Sequence, residues 1–250
     1  LTNRNHVLGP TEFDYLNPNK IELWLHKANA AVKTQRKEEA LSALEMAIRL
    51  GNTDKANLKL LAQLHLQAGN LQRAVDITID HQPLISDYQF VKPMLAWLAR
   101  HRRWTQLQIL LEQSEAQFKH YRAQERSHWH TQKASFSRHQ QHFKRQKSHL
   151  QQAVKLDPTN GEALMQLADV HQQSNRLSQA DVLLSRASGF DEYREPALLK
   201  RAQIAYQRQQ YRSAFDLMNQ VLRINPSRRD LVDNMDILQR LIRQQQQQKG

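Results

Sequence analysis

The 250-residue sequence has no cysteine. Disulfides, thiol nucleophiles, zinc ribbons and haem attachment are thereby excluded, and the absence is in keeping with an oxidising compartment. Glycine and proline are scarce, at 6 and 7 residues, and neither occurs between Met94 and Asp157. So few breakers in a chain rich in Ala, Leu, Gln and Arg favour helix throughout, with long helices across that interval. No apolar run approaches the roughly 20 residues that span a bilayer. Acidic side chains are the minority: 24 against 36 basic ones gives a net charge of +12 and a pI near 10.1. Such a balance favours acidic partners, nucleic acid or an anionic membrane surface. The sequence opens on Leu1 with no Met and no signal-like segment, which reads as a trimmed fragment or mature domain whose anchor or address would precede it.

What the chain does have is a period. Ala168, Ala180 and Ala187 recur 34 positions later as Ala202, Ala214 and Val221, while Leu164 recurs as Leu198 and Leu184 as Met218. The same spacing links Ala28, Ala62 and Ala96, and separately Ala134, Ala168 and Ala202. Ala96 and Ala134 are 38 apart, so about four residues are inserted between the two series, near Ala123 to Arg126. Fixed self-similarity of this length marks stacked helix hairpins, none of which buries its own apolar face alone. Small Ala positions let helices approach, and larger apolar residues fill the spaces between.

Residues 1–20 read as an extended lead-in, in which Phe13, Tyr15 and Leu16 cover the first repeat and Asn17-Pro18-Asn19 starts its helix. Residues 21–122 read as three repeats: Thr78 and His81 replace apolar residues in the second, and the second helix of the third comes one residue early, on Leu107 and Leu111. Residues 123–160 read as an insertion plus a degenerate basic repeat, and 161–228 as two regular repeats. Residues 229–243 form an end helix through Leu231, Val232, Met235, Leu238, Leu241 and Ile242, and 244–250 a disordered Gln-rich tail.

The order of large apolar residue, Ala, turn, Ala, apolar residue, Ala and Pro over Gly161–Arg194 and Glu195–Arg228 resembles the tetratricopeptide repeat family. The resemblance extends over about nine-tenths of the chain, loosely in the middle. It implies an all-α, right-handed α-solenoid of helix-turn-helix repeats with a C-terminal capping helix, binding proteins or peptides and catalysing nothing. It also implies a groove lined by the first helix of each repeat. Carried onto this sequence, the lining comprises Asn29, Lys33, Lys59, Gln63, Gln67, Asp169, Gln172, Gln173, Lys200, Gln203, Tyr206 and Gln207. The Lys/Asn clamp of the family's chaperone-tail binders is broken by Leu25 and Leu60.

Gln117 to His149 stands apart in composition. Its basic residues are Lys119, Arg122, Arg126, Lys133, Arg138, Lys144, Arg145 and Lys147, against a single acid, Glu125. Six histidines, His120, His128, His130, His139, His142 and His149, share it, and their protonation below about pH 6.5 would add positive charge. Trp129, Phe136, Phe143 and Leu150 fall seven apart, the spacing of a buried helical stripe. The segment thus reads either as solvated helices on a narrow apolar seam or as a basic arm for nucleic acid or an anionic surface. His139 and His142 share a helix face without a carboxylate or thiol companion, so no metal site is expected. Phosphate loops, nucleophile elbows and HExxH pairs are missing too, and neither catalytic residues nor cofactors are expected. The reading is an interaction scaffold for a protein or peptide, with an acidic ligand favoured by the charge. The expected setting is bacterial envelope assembly (pilus, polysaccharide export or cytochrome maturation), in the periplasm or close to a membrane.

Overall fold

A computed structural model describes residues 20–247, which contain 13 α-helices and no strand. The lead-in expected over residues 1–19 lies outside the described residues. The chain divides into two compact units, meeting in sequence between His120 and Tyr121. The first holds α1 (Ile21–Lys33), α2 (Lys37–Arg49), α3 (Lys55–Gln67), α4 (Leu71–Asp80), α5 (Tyr88–Arg100) and α6 (Trp104–Glu115), with 3-10 turns at Gln82–Ser86 and Phe118–His120. The second holds α7 (Ala123–His139), α8 (Phe143–Leu156), α9 (Gly161–Gln173), α10 (Leu177–Ala187), α11 (Asp191–Gln207), α12 (Tyr211–Ile224) and α13 (Asp230–Gln247). In each unit consecutive helices pair as hairpins and each hairpin packs on the next, the construction of an all-α solenoid of helical repeats.

Every hairpin turns in the same way. Gln35, Gly69, Arg102, Gln141, Asn175 and Gln209 adopt positive φ between 54° and 79°. The following N–H reaches back to the carbonyl of the buried residue at the eleventh position of the repeat or its equivalent. These bonds are Arg36 to Ala31, Asn70 to His65, Arg103 to Leu98, His142 to Ser137, Arg176 to His171 and Gln210 to Ala205, all 2.8 to 2.9 Å. A left-handed residue followed by this long back-bond is the Schellman closure that ends a helix. Glycine is its usual centre, yet five of the six positions here are not glycine. The long helices expected between Met94 and Asp157 are therefore broken at Arg102 and Gln141, because the closure tolerates a side chain at about 1 kcal/mol.

Alanine sets the spacing between helices. Ala28, Ala40, Ala47, Ala62, Ala74, Ala134, Ala168, Ala180, Ala187, Ala202 and Ala214 have no exposed surface. In the second unit Leu150, Leu164, Leu184 and Ile204 fill the volumes around them. Ala96 departs from its series: it is only half-buried, while Leu95 and Leu98 of α5 are fully enclosed. The one-residue shift expected in the second helix of the third repeat thus already affects α5, downstream of the 3-10 turn at Gln82–Ser86. The register break also lies earlier than expected, since Ala123 to Arg126 form the first turn of α7 and the additional residues occupy the connection before it. Thr78, in an apolar slot, is satisfied by donating to the Ala74 carbonyl at 2.8 Å.

The end helix α13 buries Leu231, Met235 and Leu238, the first against Leu198 and Val221 and the last against Ala205 and Ala214. It continues through Gln247, so residues 244–247 are helical rather than disordered. Val232 and Ile237 face solvent. If the left-handed turns carry backbone strain, Gln141→Gly and Gln209→Gly should each raise unfolding stability by about 0.5–1 kcal/mol. Gln140→Gly, one residue away at φ −75°, should lower it. Urea denaturation of the three variants checks the order.

Candidate functional site

The residues expected to line a groove lie on α1, α3, α9 and α11, the first helices of their hairpins. Lys59, Gln63 and Gln67 share one face of α3, and Asn29 and Lys33 one face of α1, because residues four apart align on a helix. In the second unit Asp169, Gln172 and Gln173 of α9 lie beside Lys200, Gln203, Tyr206 and Gln207 of α11, and the two helices touch. All of these residues are exposed or half-buried.

Their charges are largely committed. Lys200 Nζ donates to Asp169, joining α9 to α11. Lys59 Nζ donates to Asp87, whose carboxylate also accepts from the Phe90 N–H at 3.4 Å and caps α5. The lysine hydrogen bond holds the Asp87 carboxyl below its ordinary pKa against the opposing effect of burial. What remains open on α9 and α11 is mainly neutral: the amides of Gln172, Gln173, Gln203 and Gln207 and the ring of Tyr206, which tilts against Tyr211 at 5.7 Å.

The expected basic patch is divided. Lys119 belongs to the first unit and the other seven residues to the second. Arg122 is paired with Glu125, its Nη2 donating at 2.7 Å. Lys133 stands 5.0 Å over the Trp129 ring. Arg126 is half-buried, and Lys147 of α8 is half-buried and lines a cleft with residues of α9 and α10. Arg138, Lys144 and Arg145 remain exposed around the α7–α8 turn. Beside them Phe143 is 60% exposed, whereas Trp129, Phe136 and Leu150 are buried. The expected seven-residue stripe therefore loses one member, because Phe143 begins α8 directly after the turn.

The histidines do not act as one cluster. His130 Nδ1 lies 3.0 Å from His149 Nδ1, with the Trp129 ring edge-on to both. His128 approaches Gln132, and His139 and His142 are exposed near the turn. Among the described residues no group of three or more His, Asp or Glu side chains is placed to hold a metal. No described helix is long and apolar enough to cross a membrane.

Two polar arrangements escaped the reading of the residues. Ser127 and Thr131 of α7 are fully buried, and Asn160 Nδ2 donates to both hydroxyls, at 2.8 and 3.1 Å, while its carbonyl oxygen caps α9 at Ala163 N. In the first unit Glu45 receives His65 Nε2 at 3.1 Å and Arg73 Nε at 3.2 Å. Burial opposes its charge, but Arg73 and His65 outweigh that and hold its pKa below the ordinary value. The available signal was polar residues recurring where the period demands buried ones.

A tetratricopeptide repeat profile matches residues 140–200, which contain α8, α9, α10 and part of α11. Over those residues the chain is similar to the tetratricopeptide repeat family, and its fold is shared with solved structures. Among solved structures, PilF of Pseudomonas aeruginosa aligns at 13% identity over 83% of this chain and 92% of its own, with a TM-score of 0.59. PilW, a widely conserved type IV pilus biogenesis factor, aligns at 15% identity over 86% of this chain and 98% of its own, with a TM-score of 0.58. Acl4, the assembly chaperone of RpL4, aligns at 14% identity over 92% of this chain and 100% of its own, with a TM-score of 0.57. At such identities the likeness is one of fold. No curated protein matches the sequence.

His130 resists the protonation expected of the histidine-rich segment. Burial, then the charges of His149, Arg126 and Lys133, push its pKa down to about 4 from 6.5. Between those values the unfolded chain holds the proton and the folded chain does not, so stability is lost as pH falls from 6.5 towards 4. His130→Phe should flatten that part of the stability profile. Chemical denaturation at several pH values measures it, and an unchanged slope would assign the loss to other groups.

Proposed function

We propose that this protein is a non-catalytic interaction scaffold that binds an extended protein or peptide segment along the polar faces of its first helices. The observation that carries the reading is the pairing of Lys200 with Asp169, which joins α9 to α11 and leaves mostly uncharged amides and Tyr206 outward. Amides that both donate and accept suit the backbone of an extended chain, and a tyrosine adds apolar contact at low entropic cost. A bacterial envelope assembly role is the setting we infer. The fold shared with PilF and with the pilus biogenesis factor PilW supports it.

A second reading has its own observation. Arg138, Phe143, Lys144 and Arg145 are all exposed near the α7–α8 turn, and an aromatic residue close in sequence to cations suits an anionic surface or single-stranded nucleic acid.

One set of measurements separates the two. Peptides selected on the full chain from a random displayed library should bind Gln172→Ala/Gln203→Ala/Tyr206→Ala at least tenfold more weakly, about 1.4 kcal/mol. A selection that yields no binder weakened by these three changes would overturn the groove. Retention on anionic vesicles or single-stranded RNA that falls steeply with salt, and is lost in Phe143→Ser, would favour the second reading.

A further inference from the structure

His65 and His171 fill the same slot, the eleventh residue counted from Lys55 and from Gly161. Both are more than nine-tenths buried, and both give their backbone carbonyl to the hairpin closure. In both, Nδ1 is enclosed without a hydrogen-bond partner. A bare ring nitrogen is tolerated as a lone pair more readily than as an unpaired N–H, so the proton belongs on Nε2, which makes that nitrogen a donor. At His65 the donor has its acceptor, Glu45, which Arg73 also contacts.

The step from His65 to His171 is 106 residues, and the same step takes Glu45 to Gln151 and Arg73 to Gln179. The second unit therefore keeps the buried histidine and lacks the carboxylate. In its place is an open cleft of about 510 Å3 between α8, α9 and α10, lined by Gln151 and Gln179 among others. Lys147 and Arg176 stand on its walls, and no acidic residue lines it. Leu167 and Leu183 form an apolar floor, and Val182, 61% exposed, forms the lip. Burial, then Lys147 and Arg176, hold the His171 pKa below its ordinary value, the direction expected of a site short of negative charge.

We propose that this cleft binds an acidic peptide segment, one carboxylate of which takes the place that Glu45 occupies in the first unit. The carboxylate accepts from His171 Nε2 and pairs with Lys147 and Arg176. An apolar side chain next to it in the peptide covers Leu167, Leu183 and Val182. The cleft volume lies in the range of small binding sites and is large enough for such a pair of side chains. The site does not rest on the groove reading, since it needs none of Gln172, Gln203 or Tyr206.

The decisive variant is Gln151→Glu, which supplies the carboxylate from within at an exposed position. Fluorescence anisotropy of the full chain with a labelled peptide of alternating Glu and Leu should show saturable binding. Binding should weaken at least tenfold when Gln replaces Glu in the peptide, and at least tenfold in Gln151→Glu. Lys147→Gln and Arg176→Gln should each weaken it several-fold, and the groove variant Gln203→Ala should leave it unchanged. Imidazole NMR signals of His171 should move on saturation, and should already be moved in Gln151→Glu without peptide. No binding, equal binding of the neutral peptide, undiminished binding by Gln151→Glu, or tighter binding of a phosphoserine peptide that leaves His171 unmoved would each overturn the proposal.

Discussion

Two helices come within alanine contact only where neither presents anything larger at the crossing. Ala28, Ala40 and Ala47 in the first hairpin, and Ala168, Ala180 and Ala187 in the fifth, meet that condition with no exposed surface left. The rest of the structure depends on it. Close approach leaves room for only a short reversal, and the left-handed turn at Gln35, Gln141, Asn175 and Gln209 supplies one. The turn in turn needs a carbonyl one turn back, which comes from the eleventh residue of the repeat, buried in every hairpin. Spacing, turn and buried slot are thus parts of one constraint.

Because the backbone enforces that slot, its side chain can vary without loss of the fold. It holds Ala31, His65, Leu98, Ser137, His171 and Ala205 in successive hairpins. A histidine there must be answered by something, since a buried donor without an acceptor is costly. In the first unit the answer is Glu45, and in the second it is an open basic cleft. The same reasoning explains the outward faces. Lys59 and Lys200 lie where a groove would gain positive charge, but each reaches a carboxylate from the next or the preceding hairpin. Charges that look available in a linear pattern serve to hold repeats together.

Much of the fold was legible in the sequence, because its strongest determinant is local and periodic. Alanines 34 apart place the helices, and their reversal points follow. Three features were not legible, each for a physical reason. Ala96 kept the period by coincidence, while Leu95 took the core position once a 3-10 turn had shifted the register by one residue. Phe143 kept a seven-residue spacing through Gln141, where a non-glycine residue turns the chain without announcing it. The seam of Ser127, Thr131 and Asn160 reads as solvated helix in one dimension, and only three-dimensional pairing shows Ser127 and Thr131 buried and satisfied by Asn160. Of the candidate site, the helices bearing the groove residues were legible. The ion pairs at Lys59 and Lys200 and the cleft beside His171 were not, since each joins residues roughly one repeat apart.

The central claim is that alanine contact sets the spacing from which turn, slot and cleft follow. Ala180, enclosed in the second unit's core, tests it most directly. Thermal and urea unfolding of Ala180→Leu should show a loss of about 1–3 kcal/mol from overpacking, although the substituted residue is the better apolar side chain. Unchanged or increased stability would contradict the account.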